Sequence, residues 1–187
     1  MTPEQIRQEL QQQFGSQVVL LAEGSWQVDG DRFRLLVLLS DDQSWLRVLI
    51  PIVPAQEALP FAEILLAANF DSTAETRYAI HEGALWGVFQ HAATSLTRED
   101  FLGAVQKLVS LQAAGLNDCF NQLVEARVRQ IIRVAKMRGQ SLETTLQTLD
   151  RFYEEGLMGD LNAGATAREE TLTAWKYQLG RLWHEEP

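Results

Sequence analysis

Ser25-Trp26-Gln27-Val28-Asp29-Gly30-Asp31-Arg32-Phe33-Arg34-Leu35-Leu36-Val37-Leu38-Leu39-Ser40-Asp41-Asp42-Gln43-Ser44-Trp45-Leu46-Arg47-Val48-Leu49-Ile50-Pro51-Ile52-Val53 is the stretch that decides the fold class. It reads as three strands, Trp26–Asp29, Arg32–Ser40 and Ser44–Val53, rich in Val, Ile, Leu and Trp. Asp29-Gly30-Asp31 and Asp41-Asp42-Gln43 separate them, and turns this short join antiparallel neighbours. Side chains alternate along a strand, so Leu46, Val48, Ile50 and Ile52 share one face, and Trp45, Arg47 and Leu49 share the other. Pro51 has no N–H for a ladder, which predicts a sheet edge or strand terminus at that end.

On either side of this core the hydrophobic period changes to that of helices. Thr2 to Phe14 has Thr2 as N-cap, Pro3 as first helical residue and Gln5 as the return partner of a capping box. Its stripe is narrow: Ile6, Leu10 and Phe14. Pro60 to Asn69 is helical again, with Ile64, Leu65 and Ala68 inward and Asn69 at the cap. Thr76–His81 and Ala84–His91 form a hairpin turning at Glu82-Gly83. Ser95 to Gly115 is a helix capped by Thr97, with Glu99 and Asp100 in its first turn where the dipole favours negative charge. Residues 1–115 thus run helix, three strands, helix, two strands, helix. The absence of a strict βαβ alternation predicts an α+β domain, an antiparallel sheet with flanking helices.

Residues 116–187 carry no strand signal and read as an all-helical C-terminal extension. Asn117–Arg138 and Ser141–Glu155 are amphipathic, the second with Leu142, Leu146, Leu149 and Phe152 inward. Met158–Gly164 is a Gly-rich linker. Thr166 and Glu169 form a capping box for a last helix striped by Leu172, Trp175, Leu179 and Leu182.

The chain has 187 residues, 46% hydrophobic, with 16 basic and 25 acidic side chains for a net charge of −9. That length and balance describe a folded domain rather than a disordered chain. The acidity argues against coating phosphate backbones, so no nucleic-acid partner is expected. Apolar runs such as Leu35–Leu39 fall far short of the ~20 residues that span a bilayer, so no membrane role is expected. Met1-Thr2-Pro3-Glu4 lacks a basic start followed by an apolar stretch, which predicts residence in the cytoplasm. The single cysteine, Cys119, reads as a small buried apolar residue on a helix. Charge is uneven: residues 1–115 hold 7 basic and 14 acidic side chains, and residues 116–187 hold 9 and 11.

Catalytic constellations are not evident. His81, His91 and His184 have no ligand spacing, and His81-Glu82, adjacent on a strand, point apart. Neither a nucleophile elbow nor a Gly-rich phosphate cradle is present. Asp29-Gly30-Asp31 lacks the later ligands of a calcium loop and reads as a turn. No catalytic residue, metal or cofactor is therefore expected. Two features suggest contact with another protein. Arg127, Arg129, Arg133, Lys136 and Arg138 cluster on one helix, and Arg129, Arg133 and Lys136 fall within an arc of about 60°. They are either a solvated face or a docking stripe for an acidic partner, the chain's own acidic N-terminal part included. Trp26, Trp45 and Trp86 lie on strands, where they either pack under the C-terminal helices or form an apolar contact site.

Leu65-Leu66-Ala67-Ala68-Asn69, the hairpin at Glu82-Gly83-Ala84-Leu85-Trp86, and Leu96-Thr97-Arg98-Glu99-Asp100-Phe101 opening a helix resemble the YbjN / CesT-like group, which includes the type III secretion chaperones and the Tir chaperone. The helical tail after Gly115 is similar to a cyanobacterial branch of that group. The resemblance implies a non-enzymatic, acidic, homodimeric module that holds a partner polypeptide in extended form on apolar surface of its sheet and helices. The expected function is accordingly a chaperone-like or adaptor protein, with Trp26, Trp45 and Trp86 as apolar contacts and Arg129, Arg133 and Lys136 as a polar rim. The alternative expectation is a ligand-sensing regulatory domain whose helical tail carries the signal.

Overall fold

The computed structural model describes residues 1–154 and 165–186. The chain divides into two compact units, Met1–Cys119 and Phe120–Pro187. In the first, α1 (Pro3–Phe14) precedes strands β1 (Val18–Ala22), β2 (Ser25–Asp29), β3 (Arg34–Leu39) and β4 (Trp45–Pro54). Two short helices follow, α2 (Ala55–Ala58) and α3 (Ala62–Ala68), then β5 (Arg77–His81), β6 (Ala84–Ala92) and α4 (Arg98–Ala114). The six strands form one antiparallel sheet in the order β1-β2-β3-β4-β6-β5. This is the expected α+β class, with one strand beyond the five anticipated: β1, whose run Val18-Val19-Leu20-Leu21-Ala22 lacks the alternation of a half-buried strand.

The caps form as their chemistry dictates. The Thr2 hydroxyl accepts the Gln5 N–H at 3.3 Å, and the Gln5 side-chain oxygen accepts the Thr2 N–H at 2.9 Å. Thr97 caps α4 through the Asp100 N–H at 3.1 Å. The β5–β6 turn puts Glu82 and Gly83 at φ 47° and 77°, the left-handed pair that a two-residue hairpin needs.

One face of the sheet carries the core. Ile6 and Leu10 of α1 and Phe101, Ala104, Val105 and Leu108 of α4 pack on Trp26, Val28, Leu35, Val37, Leu46, Val48, Ile50 and Phe89. Gly87 lets α4 approach closely: a Cβ there would stand 2.9 Å from Ile50 Cγ2 and 3.0 Å from Leu108 Cδ2. A second cluster joins Ala58, Leu65, Leu85 and Cys119. Cys119 is buried in this cluster, as expected, and burial and the neighbouring Asp118 push its thiol pKa up.

β4 is interior, flanked by β3 and β6, and runs on to Pro54, so Pro51 lies neither on an edge strand nor at a strand terminus, against the expectation. The sheet tolerates it because the paired β3 ladder ends at Leu36–Leu49, short of Pro51, and the β4–β6 register shifts between Pro51 and Val53.

The second unit contains most of α5 (Asn117–Met137), with α6 (Leu142–Glu154) and α7 (Ala165–Leu182). Val128, Ile132, Leu179 and Leu182 are its buried centre, with Leu142, Leu146 and Trp175 against them. The expected linker Met158–Gly164 lies outside the described residues, as do the side chains of Phe152, Thr166, Glu169 and Leu172. Among the described residues no helix is long and apolar enough to cross a membrane.

Candidate functional site

The register assigns every strand residue to a face. Cross-strand pairs Trp26–Val37, Val28–Leu35 and Val48–Phe89 point toward the helices. Gln27–Leu36, Leu38–Arg47, Leu49–Val88 and Pro51–Trp86 point the other way. The outer face therefore carries Leu36, Leu38, Trp45, Arg47, Leu49, Pro51 and Trp86, which are half-buried and belong to no buried cluster of the described residues, and Val88, which is buried among its neighbours.

The three tryptophans separate on this criterion. Trp26 is 3% exposed and part of the core, its indole Nε1 buried without a hydrogen-bond partner. It is not a surface contact. Its position in β2 has the parity of Val28, which faces α1 and α4. Trp45 and Trp86 are half-buried on the outer face. The Trp86 indole donates to the His81 carbonyl at 3.0 Å, which fixes its ring beside the hairpin turn.

Arg47 stacks on Trp45, its guanidinium carbon 4.8 Å from the ring centroid. Its Nε is buried and has no hydrogen-bond partner. Gln90 stands opposite in the register, but its side-chain oxygen accepts from Arg77 Nη2 at 3.1 Å. At the far end of the face Asp29 accepts from Gln27 Nε2 and from Arg34 Nε, the latter at 2.9 Å, and these bonds hold its carboxyl below the usual range.

The edge strand β1 extends this surface. Val19, Leu20 and Leu21 are exposed, Leu20 by 62%, and β1 is paired on one side only, to β2. Its other side presents unpaired backbone N–H and C=O groups to solvent. A continuous apolar run closed by Glu23-Gly24 is the sequence signal that marks it.

The basic stripe is engaged in cis by the chain's own C-terminal acids rather than its N-terminal part. Arg129 donates to Glu186 at 2.9 Å, to Glu185 at 2.9 Å and to Glu125 at 2.7 Å. Arg133 Nε donates to Glu186 at 2.7 Å, and Lys136 donates to the Glu186 backbone carbonyl while lying over the Trp183 ring. The Glu186 side chain is 4% exposed. Hydrogen bonds from Arg133 and Arg129 hold its carboxyl below the ordinary value. The three cations are thus paired within their own unit, while the Arg133 side chain stays 62% exposed.

Among the described residues the surface grooves include two lined mainly by apolar side chains. One of about 240 Å³ lies between α3 and β5, lined by Leu65, Leu66, Tyr78, Ile80 and Leu85. The other, about 300 Å³, lies between α5 and α6, lined by Ile131, Val134, Ala135, Thr145 and Leu149. Both are at or below the small end of ligand pockets. His81 is exposed with Nε2 3.8 Å from Glu82, and His91 stacks on Phe89 at 5.8 Å with Nδ1 2.9 Å from the Ala92 carbonyl. Neither meets a second titratable group that would make an acid–base pair at hydrogen-bond distance among the described residues.

No family model matches the chain, and no curated protein matches it. Several solved structures are similar. A chain of the ExsC–ExsE complex is 19% identical, over 62% of this chain and 96% of that one, at a TM-score of 0.47. A chain from the Yersinia pestis type III secretion chaperone SycH, in complex with a stable fragment of YscM2, is 15% identical over 61% and 99%, at 0.47. A chain of the heterodimeric ExoU–SpcU complex from the type III secretion system of Pseudomonas aeruginosa is 15% identical over 59% and 93%, also at 0.47. At these identities and TM-scores neither a family nor a function passes from them to this chain.

Proposed function

We propose that this protein is a binding module, chaperone-like or adaptor, that holds an extended segment of another protein on the outer face and β1 edge of its sheet. One observation carries the reading. Leu36, Leu38, Trp45, Leu49 and Trp86 form an apolar surface that no helix of their own unit covers, and it runs toward an edge strand with three exposed apolar side chains. A surface of that kind suits an added strand: main-chain hydrogen bonds at the edge supply affinity, and side chains on the face supply selection.

The proposal carries finer terms. The module is YbjN / CesT-like, of the cyanobacterial branch with a helical tail, on the residues quoted for that resemblance and the element order. Residues 1–115 and 116–187 are its two domains. It is cytoplasmic, non-enzymatic and homodimeric. A second copy is assigned to the opposite sheet end, where Leu59, Leu66, Phe70 and Ile80 are exposed, Phe70 by 94%. Phe70→Ser with Leu66→Glu should convert a dimer to a monomer in light scattering.

The test is affinity capture of the full chain from its native cytoplasm beside a Trp45→Ala/Trp86→Ala variant. A stoichiometric protein kept by the wild type and lost by the variant, with the far-UV spectrum unchanged, supports the reading. Equal retention overturns it. Ligand sensing is the second reading, favoured only by the α5–α6 groove. A thermal shift of several degrees with one metabolite class, abolished by Ala135→Trp, would establish it instead.

A further inference from the structure

The outer face differs from the rest of its unit in charge as well as polarity. Residues 1–115 hold 7 basic and 14 acidic side chains, yet the charged strand positions on this face are Arg34, Arg47 and Arg77 against the one acid Asp29. Asp29 is spent on Arg34. Arg77 is held to Gln90. Arg47 remains, at the centre of the sheet between Leu38 and Gln90. Among the described residues it has no ion pair, its Nε is out of water and unbonded, and its guanidinium lies over the Trp45 ring. Leaving a guanidinium N–H buried and unpaired is costly, and the fork geometry of a guanidinium matches a carboxylate.

We propose that Arg47 is a docking residue for a carboxylate of the bound segment, so that the partner is an extended, mainly apolar peptide with an Asp or Glu set among its apolar residues. This rests on the reading that the outer face takes a polypeptide. A uniformly acidic partner is disfavoured by the field of an acidic unit; one or two carboxylates in an apolar strand are not. Arg77 offers a second position where a carboxylate displaces Gln90 from it. It lies two strand spacings and two residues away, about 12 Å, and carboxylates four residues apart on an extended chain span about 13 Å.

The experiment selects a phage-displayed random-peptide library on the full chain and reselects on Arg47→Gln, Arg47→Lys, Arg47→Glu and Leu38→Asp/Leu49→Asp. The expected result is enrichment of apolar peptides containing Asp or Glu. A synthetic peptide from that pool should bind the Arg47→Gln chain about tenfold or more weaker, with partial rescue by Arg47→Lys, and Arg47→Glu should turn selection toward Lys and Arg. Apolar peptides that need Leu38 and Leu49 but bind all Arg47 variants equally would overturn the carboxylate assignment and leave the face as the binding site. Peptides indifferent to every outer-face substitution, or no enrichment, would overturn both.

Discussion

Trp26 and Trp45 sit on strands of one sheet, in similar company of valines and leucines, and have opposite fates. Trp26 pairs with Val37 and is buried under α1 and α4; Trp45 pairs with Ala92 and lies on the face those helices do not cover. A shift of one residue in register would exchange them. The same division separates Val48 from Arg47 and Phe89 from Gln90. The inner face is chosen for close packing, down to the missing Cβ at Gly87. The outer face keeps apolar area and a cation without an ion pair among the described residues, features that the proposed binding of a second polypeptide would use.

Substitutions can break this comparison, and the largest effects belong to the inner face. Phe89→Ala or Trp26→Ala should cost about 3–5 kcal/mol in urea unfolding, whereas Trp45→Ala and Leu49→Ala should stay within about 1 kcal/mol. Similar losses on both faces would end the distinction. Gly87→Val should cost about 1–3 kcal/mol by driving α4 from the sheet, while Leu36→Ala on the half-buried outer face should cost less than that. Trp26→Phe should be milder than Trp26→Ala, since both remove the buried N–H that bonds nothing but only Phe refills most of the space.

The smallest effects are those of pH. Ser40 and Ser44 hold the Asp42 carboxyl down at about 2, from 3.8. Its contribution is therefore complete above pH 3.8 and lost as pH falls toward 2. Glu186 is also lowered, by Arg133 and then Arg129, so its clasp on α5 should weaken as pH falls below 4.5. Glu186→Gln should flatten the acid limb of the second unit's melting profile and leave the first unit's unchanged; two unchanged profiles would show that the clasp contributes nothing.

The strands on either side of Asp41-Asp42-Gln43, the Glu82-Gly83 hairpin and the Thr2 and Thr97 caps were all legible, because each rests on chemistry within a few residues. β1 was not, since an edge strand exposed on both faces shows no alternation. The face of Trp26 depends on which way a five-residue strand is turned by its neighbours, and that is a tertiary fact. The stripe Arg129, Arg133 and Lys136 could be read from helical spacing. Its occupant could not, because Glu186 lies fifty or more residues away in the chain and is brought there by α7.

The most direct test of the account places a photo-cross-linking residue at Leu38 on the outer face or at Gly103 on the exposed side of α4, in the full chain within its native cells. The account predicts a covalent adduct with another protein from position 38 and none from position 103. An adduct from 103 alone, or equal adducts from both, would contradict it.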